Sequence, residues 1–490
     1  MKFRNTYLQL VLLFAILLIP TFASADYVGK GAEFFIEAKY GLTDAYKLEA
    51  TLQADSSNAY FYIDNNWFNS KTEIEKKDIK SKLGYLGAEF ENNIYPALTR
   101  AYGSEWIPGI DGDRKITVLL YSMKESVKGY VRNIDEYEKI VAPMSNQREM
   151  VYLNAEMIDD PLLNDYLAHE FTHLIQFNQK EKRTGDAEEV WLNELRAEYA
   201  PTIVGYSDTT NENSYLRKRV TAFLNNSSDS LTGWKGEVSD YGAISMFGHY
   251  LVDQYGLDIL SDSLRISSKT GIDSINEALS RKGIQDRFKD VFANWIIASY
   301  LNDCTINKRY CYKNPNLTNL HVIPFNNFIP YTSESTLSIS QTISNWSANW
   351  QKFSGANKSL VVNFDGKYQD GFKVFYIIRD YSGKYEVKEL TLDNQKKGQL
   401  SISNLGTDIA SLILIPFVQD IDSPANNQSY YSYSITISTL NNTTTTPVED
   451  NSVKLPFAID KPLNQMNREE LLIVLLKVII YLASQGKLQF

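Results

Sequence analysis

A chain of 490 residues, 43% hydrophobic and 13% aromatic, carries enough apolar material for two or three cores of ordinary domain size, about 100 to 200 residues each. Its formal net charge of −10, from 49 basic against 59 acidic side chains, argues against nucleic acid as a partner, because neutralising phosphates takes a surplus of Lys and Arg. Two cysteines are too few for a disulfide scaffold.

At the start of the chain, Lys2 and Arg4 precede an apolar run from Leu8 to Ile19, and Ala23-Ser24-Ala25 has the small-residue spacing of a signal-peptidase site. The run is shorter than the roughly 20 residues of a membrane span. Residues 1–25 therefore read as a removable signal peptide, and the mature chain as secreted and extracellular. Alternation within residues 26–64, as at 46–52 and 59–64, predicts paired strands, and residues 72–102 read as helical. Gly109-Ile110-Asp111-Gly112-Asp113 is turn chemistry before a short apolar strand at 115–121. Asp111 and Asp113 also offer carboxylates to Ca2+, although that ion normally collects six to eight oxygens. Residues 149–155 read as the next strand.

Residues 166–177 carry His169, Glu170 and His173 in the order His-Glu-x-x-His, with Leu167, Phe171, Leu174 and Ile175 forming an apolar face. On a helix, side chains four apart lie about 5 to 6 Å from one another on one face, so both imidazoles can reach one Zn2+ while Glu170 reaches its water. A hydrolytic zinc site takes three protein ligands and keeps one position open. The helical stretch 191–200 supplies Glu194 as the third ligand, twenty-one positions after His173, and Glu198 one turn later. Two glutamates at i and i+4 repel on an exposed helix. Here they sit among Trp191, Leu192, Leu195 and Ala197, where a nearby cation accounts for them. Glu198 is read as the acceptor for the free N–H of a ligand histidine. The plainer reading, two histidines lining a core, competes with this one, but the chain has only four histidines.

These two motifs resemble those of the gluzincin metallopeptidases. Together with residues 90–96, 109–113 and 145–155, they resemble the secreted bacterial hyicolysin-like and peptidase-MA-like enzymes over roughly residues 89–256. The resemblance implies an α+β, zincin-like (thermolysin-like) domain. It implies a zinc endopeptidase acting on protein or peptide substrates, with one catalytic Zn2+ and Glu170 as general base. It further implies that substrate pairs with an edge strand around Asn154 and Ala155, and that a downstream Tyr or His, either Tyr241 or His249, stabilises the oxyanion. The Gly-x-Met-x-Asn-like signature of the aminopeptidase branch is not seen. A polymer-binding surface adhesin on a degenerate peptidase scaffold and a two-carboxylate glycosidase are the alternatives from other classes.

Pro201 is expected to end or kink the Glu194 helix, and helical patterns then continue to about Leu301. Cys304 and Cys311 are close enough in sequence for one local disulfide. Near Thr332 alternation takes over, so the metallopeptidase domain, with its amino-terminal strands, is assigned to residues 26–331. An all-β sandwich, jelly-roll-like, is assigned to residues 332–440. The first of these is expected to keep its core without the second. Trp346, Trp350 and Tyr431 serve either as sandwich core or as sugar-binding aromatics. A Thr- and Asn-rich linker covers 441–465 and an apolar helix 466–490, with Asn467 as its cap and Lys477 interrupting it. Too short for a confident span, that helix is expected to dock to another helix or to a cell-envelope component, holding the protein at the cell surface, or else to be buried in the protein itself.

Overall fold

Six strands between Gly31 and Asn154 form one mixed sheet: β1 (Gly31–Phe35), β2 (Lys47–Asp55), β3 (Ala59–Asp64), β4 (Ile116–Tyr121), β5 (Gly129–Val131) and β6 (Met150–Asn154), in the order β1-β2-β3-β4-β6-β5. The computed structural model describes residues 25–206, 211, 213–331, 334–420, 429–440 and 472–477. Strands β3, β4 and β6 are parallel, and β5 closes the sheet antiparallel to β6. Their two-residue period divides the side chains between two cores. Phe61, Ile63, Val118, Leu120, Val151 and Leu153 face the helices, and Tyr60, Tyr62, Leu119, Tyr121 and Tyr152 face the opposite side. Burial on both faces is why β4 and β6 read as unbroken apolar runs.

The first helices are α1 (Asn65–Asn69), α2 (Glu73–Glu89) and α3 (Tyr95–Tyr102), with a π turn at Phe90–Ile94 joining α2 to α3. A Thr72–Glu75 capping box starts α2. After β6 come α4 (Leu163–Gln176), continued by a π turn at Phe177–Lys182, and α5 (Val190–Val204). Then follow α6 (Tyr215–Asn225), α7 (Val238–Tyr255), α8 (Asp258–Arg265), α9 (Gly271–Arg281) and α10 (Phe288–Leu301). Pro201 does not end α5. It lies in the last turn, and Gly205, with φ of 101°, terminates the helix in the left-handed region. Cys304 and Cys311 are disulfide-bonded just beyond α10.

The remaining strands are β7 (Phe325–Ile329), β8 (Thr336–Ser344), β9 (Ser347–Ala348), β10 (Gln351–Gly355), β11 (Lys358–Asp365), β12 (Phe372–Asp380), β13 (Tyr385–Glu389), β14 (Lys397–Leu405), β15 (Ile409–Val418) and β16 (Tyr430–Leu440). They form one ten-stranded sheet of two runs, β13-β12-β15-β10-β7, with β9 also on β15, and β14-β11-β16-β8, which among the described residues are paired where Leu405 meets Ile409. Val374, Leu412 and Leu414 of one run and Val362, Phe364 and Ile435 of the other share a core, which makes this region a sandwich.

Two features correct the boundary drawn at Thr332. Strand β7 already belongs to the sandwich, although it precedes residue 331. The outer face of β15 and β12, with Ile377, Ile413, Ile415 and Phe417, packs into the same core as α7 and α10. Trp346 lies 4.9 Å from Phe288 and 5.4 Å from Phe292, and Trp350 donates to the Ile296 carbonyl at 3.1 Å. The change near Thr332 is one of secondary-structure type and not of core. It also settles the aromatics: Trp346, Trp350 and Tyr431 are all buried, so none is placed to stack on a sugar.

Residues 1–24 of the signal, the linker at 441–465 and Asn467 lie outside the described residues. Of the terminal helix, residues 472–477 are described and are helical, with Leu472, Ile473, Leu475 and Leu476 exposed within that unit. Among the described residues no helix is long and apolar enough to cross a membrane.

Candidate metal centre and its cleft

Helix α4 is held by its apolar stripe. Leu167, Phe171, Leu174 and Ile175 are all at most 1% exposed, and the Phe171 ring sits 4.9 Å from Phe90 and 5.5 Å from Tyr95. That packing turns the opposite side toward α5 and the sheet edge. Spacing by one turn brings the Nε2 atoms of His169 and His173 to 3.3 Å. From α5, Glu194 Oε2 approaches His169 Nε2 to 3.3 Å, and its Oε1 lies 3.8 Å from His173 Nε2. One ligand atom from each residue fits in a group whose members all lie within 4.8 Å of one another.

A tetrahedral zinc with bonds of about 2.0 to 2.1 Å places its donors roughly 3.4 Å apart, so these three residues fit that ion. Their protonation supports the same reading. Nδ1 of His173 donates to Asn193 Oδ1 at 2.6 Å, and the same oxygen accepts from Gln176 Nε2 at 3.2 Å. Nδ1 of His169 lies 3.1 Å from the Tyr215 hydroxyl and 3.3 Å from Glu198 Oε1, and that hydroxyl donates to Glu198 at 2.6 Å. Both rings thus turn Nδ1 to an outer acceptor and Nε2 inward, the orientation a metal-binding histidine takes. Glu194 Oε2 is buried without a hydrogen-bond partner, which is costly unless a cation faces it. Burial pushes His169 down, but the neighbouring Glu194 and Glu198 carboxylates outweigh it and raise the ring above its ordinary value, favouring a positive charge between them. Burial holds His173 below its ordinary value. The pocket calls for positive charge.

Behind His169, Glu198 is enclosed. Arg219 grips it with Nε to Oε2 at 2.6 Å and Nη2 to Oε1 at 2.8 Å. Burial raises this carboxyl, but Arg219 and His169 overcome the penalty and hold it at about 2. Asn193, Tyr215 and Arg219 are functional neighbours that sequence reasoning missed. Asn193 stands immediately before Glu194 and could have been found from that adjacency. Tyr215 and Arg219 lie one turn apart on α6 and reach Glu198 only through the packing of that helix, which leaves no local signal.

Glu170 faces the sheet edge. A Cβ at Gly129 would lie 2.9 Å from Glu170 Cγ and 2.9 Å from the Tyr152 carbonyl, so only glycine lets β5 approach this closely. Burial raises the Glu170 carboxyl to about 8, with the Glu194 and Glu198 charges adding to the shift and His169 opposing it.

Asn154 and Ala155 are not on the free edge: Asn154 ends β6, which is paired on both sides, to β4 and β5, and Ala155 opens the 3-10 turn that follows. Both residues are fully buried, and the Asn154 amide ties together the carbonyls of residues 123, 124 and 127. The edge is β5. With the Lys128 carbonyl accepting from Asn154 N at 3.0 Å, antiparallel alternation turns the N–H and C=O of Gly129 and Val131 away from β6.

Tyr241, near the start of α7, lines the same cleft as the metal cluster, a space of about 430 Å³. Its ring packs under the Arg219 guanidinium at 4.8 Å and against Trp234 at 4.9 Å, and burial raises its hydroxyl well above the ordinary value. His249 is not in the cleft. Eight residues along a helix displace it about 12 Å from Tyr241, and its ring faces Tyr199 at 4.9 Å, with Thr202 and Asn314 at its nitrogens. Burial lowers it to about 4. Asp111 and Asp113 spend oxygens on their own turn: Asp111 accepts from Asp113 N, and Asp113 accepts from Lys115 N and the Tyr60 hydroxyl. Among the described residues no third carboxylate joins them as a metal-binding group.

No family model and no curated protein matches this chain. Three solved structures each resemble a part of it. The pre-peptidase C-terminal domain of collagenase from Bacillus anthracis is 14% identical, with a TM-score of 0.17, over 24% of this chain and 96% of that one. PliG, a periplasmic lysozyme inhibitor of g-type lysozyme from Salmonella Typhimurium, is 13% identical, with a TM-score of 0.16, over 24% of this chain and 98% of that one. CorA, a surface-associated copper-binding protein of Methylomicrobium album BG8, is 10% identical, with a TM-score of 0.17, over 24% of this chain and 98% of that one. Likenesses this slight carry no argument about function.

Proposed function

We propose that the protein is an exported zinc endopeptidase with a zincin-like catalytic region. The observation that carries this reading is the convergence of His169, His173 and Glu194, with both histidine tautomers set by outer hydrogen bonds and a buried, unpartnered carboxylate oxygen among them. These three side chains would hold the ion. When bound, zinc supplies Lewis acidity toward water and toward the scissile carbonyl. Glu170, on the cleft side of the same helix turn as His169, takes the proton of the attacking water and returns it to the leaving amide nitrogen. Gly129 and Val131 receive the substrate backbone as an added strand on the free edge of β5, above Glu170. The Tyr241 hydroxyl donates to the carbonyl oxygen as negative charge builds there. Export rests on the apolar leader ending at Ala25.

The test is a pair of measurements on purified protein. About one zinc per chain and chelator-sensitive hydrolysis of an unfolded protein are expected, and Glu170→Gln should keep the zinc while losing nearly all turnover. Full hydrolysis by a metal-free preparation would overturn the assignment.

A further inference from the structure

Four carboxylates line the cleft, those of Glu170, Glu181, Glu188 and Glu194, and no Lys or Arg is among its described lining residues. Three have an assignment. Glu194 belongs to the metal group and Glu170 to proton transfer. Glu188 is neutralised by Arg196 at 2.8 Å, with both side chains at most 1% exposed, and also accepts from Gly271 N at 2.7 Å.

Glu181 remains, and it is held in place without being neutralised. The Tyr137 hydroxyl donates to Oε1 at 2.8 Å and Asn133 Nδ2 to Oε2 at 2.9 Å. Both donors are uncharged, and each oxygen keeps a lone pair for another partner. Glu181 sits in the π turn that directly continues α4, so it is fixed to the helix that carries His169 and His173. Asn133 lies two residues beyond Val131, so the carboxylate stands where the open edge of β5 runs out. A fixed anion in a cleft of one sign draws a cationic substrate and rewards a positive group that reaches it.

We infer that Glu181 is a specificity-determining residue, and that the cleft selects peptides presenting a cationic nitrogen near the scissile bond. This rests on the peptidase reading above. The cation has two sources, a Lys or Arg side chain and a free amino terminus, and the same carboxylate would bind either.

The experiment uses the zinc-loaded full-length protein and fluorogenic peptides in matched sets. One pair differs by Arg against Gln at positions flanking the cleaved bond, and a second pair by a free against an acetylated amino terminus. Wild type should favour the cationic member of at least one pair on the order of tenfold in kcat/KM, mostly through KM, and the preference should shrink with added salt. Preference in the first pair identifies the side chain as the cation, and preference in the second the amino terminus. Glu181→Gln should collapse that ratio toward one by slowing the cationic peptide more than the neutral one. Glu181→Lys should reverse it in favour of Asp- or Glu-containing peptides. Equal slowing of all peptides by both variants would make Glu181 a brace for Asn133 and Tyr137 and overturn the inference, as would a wild type without charge preference. If no peptide is hydrolysed in a chelator-sensitive way, the peptidase reading fails by itself. Fluorescence anisotropy of the same labelled peptides then decides the charge selectivity: tighter binding of the cationic member, lost in Glu181→Gln, supports it, and equal binding overturns it.

Discussion

Replacing Glu198 by Ala would remove the carboxylate that joins His169 to Arg219. Two losses follow. The first is in the metal centre, where the Nδ1 proton of His169 loses its charged acceptor and the ring is no longer locked. Outer-shell partners of this kind are typically worth about 10- to 100-fold in metal affinity, or about 1.4 to 2.7 kcal/mol. The second is in the fold, because Glu198 is fully buried and receives both arms of Arg219. Stranding one partner of a buried pair costs about 3 to 5 kcal/mol, and the Arg219 side chain, 20% exposed, recovers part of that from water, which places the expected loss near the low end. Competition for zinc against a chromophoric chelator measures the first effect, and urea unfolding of the metal-free protein the second. Pairing Glu198→Gln with Arg219→Met should give back part of the stability but not the affinity, because only the metal term depends on the carboxylate charge next to His169. Zinc affinity within twofold of wild type together with a stability loss under about 1 kcal/mol would refute this account of Glu198.

Other outcomes follow from features already described. Gly129→Ala should retain zinc and lose at least about tenfold in turnover, since the new methyl must displace Glu170 or β5; wild-type kcat would contradict the close approach. Trp346→Ala should cost about 3 to 5 kcal/mol, measured by denaturant unfolding, and a chain cut near residue 332 should be insoluble or molten. A soluble, zinc-binding fragment would show instead that α10 can cover its own aromatics. Burial raises Glu105, Glu149 and Asp165 to about 7. Their folded forms hold protons that the unfolded chain releases near pH 4, so stability should fall as pH climbs from about 4.5 to 7, by up to about 3 kcal/mol per group. Glu105→Gln should remove part of that slope, and an unchanged slope in thermal melts from pH 5 to 8 would argue against it.

The convergence of His169, His173 and Glu194 was legible because its geometry is local. His169 and His173 are one helical turn apart, and Glu194 sits on the next helix, so spacing alone predicts what can converge. The sheet edge was not. Strand β5 has three residues, Gly129–Val131, too few for an alternation to register. The apolar run Met150–Leu153 was itself a sign that β6 is covered on both faces, as inner strands of a parallel sheet are. The same lesson applies to β15, whose residues 411–418 are all buried. A sandwich strand with one face in water would alternate, and this one does not, because its outer face lies on α10. Tyr215 and Arg219 were beyond reach, since only the packing of α6 brings them to Glu198.

The shared core under Trp346 and Phe417 has a consequence in time. Those side chains follow His169, His173 and Glu194 by a long stretch of chain, so a polypeptide made amino end first carries these three residues well before it can close the aromatic surface of α10. Until the last strands emerge, that surface is open and the helices around it lack their final packing. Assembly of the His169, His173 and Glu194 cluster would then wait on completion of the chain. Released chains ending at successive points between residues 332 and 440 should acquire tight zinc binding only once β15 is included, and early acquisition would show that the helices close without it.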